Sequence, residues 1–303
     1  MHIARQQLKN SMLPIAMVGG AVFYKWMGYL TFLSPYLIFL MLFITYCKLQ
    51  FRDFKPRKEH VVLLTVQMVL SALIYLVLSP LNHIVGEGVF ICVFIPTATA
   101  APVITSMLGG SISFVATYSL LCNAFIAVAG PVVLAAIGDN PDMTFLKSSL
   151  LICSKVFPLI IGPLALAMIL RYLVPRLHSK VVSHQSLSFY MWAVSLFIIV
   201  GSCVSFTIRT WDEKRLPAVA MLVAGALAVC LLQFYIGRKI GARFNDRVSG
   251  GQSLGQKNTV LAVWLAMTYM TPIASIAPAA YIAWQNIVNS WQLVKKSSIK
   301  TDC

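Results

Sequence analysis

Residues 61–81 and 216–236 each run 21 positions without a charged side chain. A helix needs about 20 apolar residues to cross a bilayer, so each run is long enough for one crossing. Further apolar runs fill the chain, and no alternating apolar–polar pattern points to an outer-membrane barrel. Composition agrees: 59 % of residues are hydrophobic and 11 % charged, where a soluble domain carries about a quarter charged. A chain like this cannot cover its apolar surface with its own polar groups, and it reads as an all-α integral membrane protein.

The runs predict ten transmembrane helices near 12–26, 30–46, 61–81, 89–108, 113–137, 145–173, 187–208, 216–236, 253–270 and 273–293. No room is left for a soluble domain, so residues 1–303 form a single transmembrane unit. The first run follows Arg5 and Lys9 but lacks a small-x-small cleavage site, and it is kept as a helix. The formal charge of +15 sits in loops beside the runs, which is the pattern that sets topology and not one that binds nucleic acid. With the N-terminus inside, cytoplasmic segments carry 17 Lys and Arg and outer segments 5. Both termini are then cytoplasmic, and the short loops fit a bacterial inner (plasma) membrane. The seven cysteines show no metal-ligand spacing and read as small buried hydrophobes. All nine acidic residues and all five histidines fall in expected loops or termini.

Ten helices divide into two five-helix repeats, 1–137 and 145–293, and an odd number per half inverts one relative to the other. The fourth helix of each half carries breakers. In 89–108 these are Pro96 and Pro102 around Thr97 and Thr99. In the second half they lie in Gly250-Gly251-Gln252-Ser253-Leu254-Gly255-Gln256-Lys257-Asn258-Thr259. Paired interruptions at corresponding positions mark transporter sites near the bilayer midplane, because freed backbone groups must line a protein cavity.

Several segments quote a known pattern. Residues 41–54 end in Lys48-Leu49-Gln50-Phe51-Arg52-Asp53-Phe54, Gln67 stands on the third helix, and 96–105 forms the broken fourth. Gly110 to Pro131 keeps the fifth helix's spacing, Gly255, Asn258, Leu261 and Ala262 match an ExGxQN-x-x-LA stretch, and Trp284-Gln285-Asn286-Ile287 approximates Trp-His-Asn-Ile. In order and spacing, over nearly the whole chain, these pieces resemble the bile acid:sodium symporter family. The resemblance implies fourth and ninth helices that break and cross, and a core domain of helices 3–5 and 8–10. It also implies a panel of helices 1, 2, 6 and 7, and alternating access.

The family's two sodium sites look degraded. The fourth-helix Ser-Asn ligand pair falls on Ala101 and Pro102, and fifth-helix ligands fall on Val115 and Ser119. The key glutamate falls on Ser253 and its glutamine on Lys257, while Gln67 is kept. No cofactor or bound metal is therefore expected. A charged residue at membrane depth costs a few kcal/mol and marks function. Lys257 has four readings: a tethered cation standing in for sodium beside Gln67, Ser253 and Ser119; a receptor for a substrate carboxylate; a titrating group; or a lysine that snorkels to the surface. Lys155 reads as snorkelling.

The resemblance assigns substrate contacts to Thr99, Asn258, Gln285 and Asn286, with the competing reading that these polar groups satisfy one another. The function expected is secondary transport of a small organic anion, bile-acid-like or another carboxylate, without sodium. A sodium- or proton-coupled symporter and a substrate sensor that does not transport are the alternatives. No HExxH or nucleophile–base set favours a membrane enzyme. The expected partners are the anion and the lipid bilayer, and no residue pattern sets an oligomeric state.

Overall fold

The computed structural model describes residues 12, 15–49, 51–98, 100–137, 145–184, 186–209 and 216–301, and the structural statements below concern these. They are helical almost throughout. After a helical stretch at 15–22 come α1 (Tyr24–Leu30), a 3₁₀ turn and α2 (Ser34–Tyr46). Then follow α3 (Lys58–Leu78), α4 (His83–Phe94), α5 (Ala101–Leu108), α6 (Ile112–Ile137) and α7 (Phe145–Leu173). The second half comprises α8 (Pro175–Ser183), α9 (Ser186–Arg209), α10 (Leu216–Ala242), α11 (Arg247–Gly255), α12 (Thr259–Tyr269) and α13 (Ile276–Thr301).

Four helical stretches are long and apolar enough to cross a membrane: Tyr24–Tyr46, Lys58–Leu78, Ile112–Gly130 and Leu216–Ala242. They become five if α8 and Ser186–Ser202, bent by 57°, count as one. Their amphipathicity is reversed relative to a soluble helix. On α3 the inward face holds His60, Leu63, Gln67 and Ser71, all buried, whereas Val69, Leu73, Leu76 and Val77 are exposed. In water such an apolar outer face would drive aggregation; in lipid it is the correct surface.

Packing gathers the helices into two groups. In one, α10 and α11 lie backbone to backbone: a Cβ on Gly237 would fall 2.3 Å from the Gly250 carbonyl oxygen, and one on Gly241 2.3 Å from that of Asp246. Helices α3, α4, α6, α12 and α13 complete this group around Phe90, Phe94, Tyr118, Leu254 and Tyr281. In the other, α9 packs on α1 and α2 and meets the stretch at 15–22 through glycine, since a Cβ on Gly20 would fall 2.2 Å from the Phe197 carbonyl oxygen. Met41, Val103, Ile104, Trp192 and Leu196 join the two groups.

Several expectations need correction. The fourth-helix segment begins at His83 and not Val89, because the Asn82 side chain caps it by accepting the Val85 N–H at 3.2 Å. Glu87 is consequently inside a helix and fully buried, not in a loop. His60, also expected in a loop, is buried in the first turn of α3. The ninth segment starts at Arg247, capped by Asp246, which accepts the Ser249 N–H at 2.9 Å. The loop expected after residue 173 contains α8, started by Pro175. Thr99 and the side chain of Lys155 lie outside the described residues.

Candidate functional site: the crossing of two broken helices

Both expected interruptions are present. Residues 95–100 separate α4 from α5, and residues 256–258 separate α11 from α12. Each break leaves carbonyls at the end of one half-helix and N–H groups at the start of the next without helical partners. The two breaks satisfy each other. Thr97 and Lys257 form a one-residue antiparallel bridge, with Ala98 N–H donating to Gln256 O at 3.1 Å and Asn258 N–H to Pro96 O at 2.9 Å. The Thr97 hydroxyl adds a donation to Ser253 O at 2.7 Å. The two backbone bonds are reciprocal, each half supplying one donor and one acceptor to them.

The Lys257 side chain runs inward from the bridge and is 1 % exposed. Its ammonium donates to Val93 O at 3.0 Å and Ile95 O at 3.3 Å, at the C-terminus of α4. Helix C-termini carry partial negative charge and orphan carbonyls, so a cation there is held by both effects. Gln67 of α3 approaches the same end and donates to Phe94 O and Ile95 O, each at 3.0 Å. Its own oxygen accepts the Tyr118 hydroxyl at 2.9 Å and the Cys122 thiol at 3.7 Å. Lys257 and Gln67 thus meet on Ile95 O. This geometry is not that of a snorkelling lysine, which would carry its ammonium to water.

The second break is held by α13. Gln285 Oε1 accepts the Lys257 N–H at 2.9 Å, while its Nε2 reaches Lys257 O at 3.4 Å and the Thr259 hydroxyl at 3.5 Å. Tyr281 donates to Gly255 O at 2.9 Å and is supported by Gln233 Nε2 at 3.0 Å. Asn258 caps α12, its Oδ1 accepting the Leu261 N–H at 3.3 Å. Asn286 donates to Ile282 O of its own helix at 2.7 Å. Ser119 and Ser253 are buried, Ser119 taking a bond from Asn123 Nδ2 at 3.3 Å.

A cleft of about 550 Å³, counting its open mouth, lies between the crossing and α9. One wall is polar, made of Gln256, Lys257, Asn258, Thr259, Gln285 and Asn286; the other is Ile38, Met41, Trp192, Leu196 and Ile199, with Ser195 among them. Asn258, Gln285 and Asn286 are therefore brought together on one wall, while Ser119 and Ser253 are not among the lining residues. The polar lining residues Gln256, Thr259 and Ser195 were not picked out from the sequence. Gln256 Nε2 and Ser195 Oγ are buried without hydrogen-bond partners among the described residues, so either could bond to a water or a ligand in the cleft. Gln256 stands beside Lys257 in the break and could have been picked out; Ser195 sits in an apolar run whose facing only the packing reveals.

Among the described residues no group of three or more His, Cys, Asp or Glu is placed to hold a metal ion. Comparison with protein-family models gives no match, and comparison with curated proteins gives none either.

Proposed function

We propose that the chain is a secondary transporter of a small organic anion, working by alternating access about the crossing and independently of sodium. The observation that carries this reading is the Lys257 ammonium on Val93 O and Ile95 O. A buried cation site is made by orphan carbonyls at a helix break, and here a residue of the chain itself fills that role. The donor set does not fit a sodium ion beside it. The carbonyls already accept from an ammonium and an amide, and Ser253 stands where a carboxylate would be needed.

The wider architecture belongs to the same proposal: ten spans, two inverted five-helix repeats and a likeness to bile acid:sodium symporters. It is supported by the order of elements. In each half a long helix (α3 or α10) precedes a broken pair, and another long helix (α6 or α13) follows. The broken pairs meet in a reciprocal bridge, as inverted copies would.

The cleft suggests the substrate class. The N-terminus of α12 presents backbone N–H groups and the positive end of its dipole, which favours a carboxylate. Gln256 and Gln285 add amide donors, and the Trp192 wall suits an apolar body. The substrate is a small amphipathic carboxylate, held by its acid at the crossing and by its body against α9.

The test is uptake of a panel of labelled organic anions into proteoliposomes, with sodium or choline outside and the pH gradient varied separately. Flux that is equal in choline and lost in Lys257→Gln is expected. Flux that requires sodium overturns the tethered-cation reading.

A further inference from the structure

Two residues of opposite charge are fully buried against α4. Lys257 covers its C-terminal carbonyls; Glu87, 0 % exposed, lies in its second turn. Val93 lies six positions after Glu87, roughly 9 Å along the axis at 1.5 Å per residue. Glu87 Oε2 accepts the backbone N–H of Thr271 at 3.1 Å, which ties α4 to the connection between α12 and the turn before α13. The fit there is close, since a Cβ on the adjacent Gly88 would meet Ala274 O at 2.7 Å and Leu222 Cδ2 at 2.4 Å. Glu87 Oε1 lies 3.9 Å from His83 Nδ1, whose side chain is 46 % exposed. The other ring nitrogen, His83 Nε2, is 3.4 Å from the Tyr75 hydroxyl.

We propose that Glu87 and His83 form a proton-binding site at the end of α4 remote from the crossing, with His83 as the entry from water. A water-derived proton binds the half-exposed imidazole, then passes from Nδ1 to Glu87 Oε1 when rotation of the exposed ring closes the 3.9 Å between them to hydrogen-bond distance. The carboxylate becomes a neutral acid and the imidazole returns to its neutral form. The titratable group placed against Glu87 is His83 on its own helix, with Tyr75 of α3 on the far ring nitrogen of His83; Tyr269, two residues before Thr271, is also buried. Leu222 of α10 and Ala277 of α13, which pack against the adjacent Gly88, carry no titratable group. A neutral acid is a weaker acceptor than a carboxylate, so protonation loosens the tie to Thr271.

Its purpose rests on the transporter reading: the site would couple movement of the core group to external protons. Its existence does not, and the test separates the two. Infrared difference spectra of the purified full chain in lipid nanodiscs are titrated with pH, without substrate. A carboxylic-acid carbonyl band that grows as pH falls is expected, with one component lost in Glu87→Gln and its midpoint displaced in His83→Gln. A band unchanged in Glu87→Gln overturns the proposal. If Glu87→Gln does not fold, His83→Gln decides, since its altered side chain is half exposed, and an unmoved titration overturns the proposal. A titrating Glu87 with no anion flux in proteoliposomes sustains the proton site and removes the transporter reading. Flux whose pH profile is identical in wild type and Glu87→Gln overturns the coupling.

Discussion

Thr97 and Lys257 face each other as the paired residues of a single antiparallel bridge, 160 positions apart in the chain. Nothing local enforces that pairing. It exists because each broken helix exposes backbone groups that hydrocarbon cannot satisfy, and the other break offers the complementary set. The crossing is thus a solution to a solvation problem, and the cleft beside it inherits the leftover polar groups.

Removing the ammonium should be felt as instability before it is felt as lost function. Lys257→Met leaves Val93 O without its charged donor, while Ile95 O keeps Gln67. A charge-assisted hydrogen bond contributes about 1.5–3 kcal/mol, so a loss of that order is expected in thermal unfolding of the detergent-solubilised protein. Adding sodium should not restore the variant, whereas Ser253→Glu combined with Lys257→Gln should be stabilised by it. A Lys257→Met protein as stable as wild type would contradict the capping role.

Asn258 caps α12, and substitution can separate that role from the proposed contact with substrate. Asn258→Ala removes the cap of α12 and should cost about 1 kcal/mol. Asn258→Ser retains a capping oxygen and should recover most of that stability. If anion uptake stays low in the serine variant, the amide itself contacts substrate; full recovery of uptake would assign Asn258 to capping alone.

The backbone contact between α10 and α11 tolerates no side chain. Gly250→Ala puts a Cβ 2.3 Å from Gly237 O, a distance that requires the helices to separate, and overpacking of this kind costs about 1–3 kcal/mol or more. Folded yield, read by size-exclusion chromatography, should fall sharply. Gly28→Ala is the control, because a Cβ there meets nothing within 4 Å, and its yield should match wild type.

Cys47, just past the end of α2, should be a slow thiol. Burial pushes its thiol up to about 11, against the opposing pull of the Arg171 guanidinium. The thiolate is the reactive form, so maleimide labelling at Cys47 should be slow at neutral pH and rise steeply in alkali. Peptide mass spectrometry of labelled protein measures this, and labelling at neutral pH as fast as a free thiol would exclude the packing described.

The residues that break helices announced the crossing in advance. Pro96 and the run from Gly250 to Thr259 are local signals, and Lys257 stands out because a charge inside an apolar segment needs a reason. Glu87 carried no such mark. It follows Pro80, Asn82 and Gly86, which read as turn chemistry, and only the close approach of Leu222 and Ala274 to Gly88 reveals that the segment is helical and enclosed. Ser195 was hidden for a related cause: which face of α9 meets the cleft depends on the glycine contact at Gly20 and Phe197, far away in sequence. Local chemistry was readable; the assignment of faces required the tertiary packing.

The glycine seams have a mechanical consequence. Where α10 meets α11, and where the helix at 15–22 meets α9, backbone lies on backbone with no side chain between to change rotamer. Such joints have no slack. The boundary that contains the cleft is different, because it is filled by side chains, Met41, Trp192 and Leu196 among them. If one group of helices moves past the other, the packing that must rearrange is this seam of side chains, because side chains have alternative rotamers and a backbone-on-backbone joint has none.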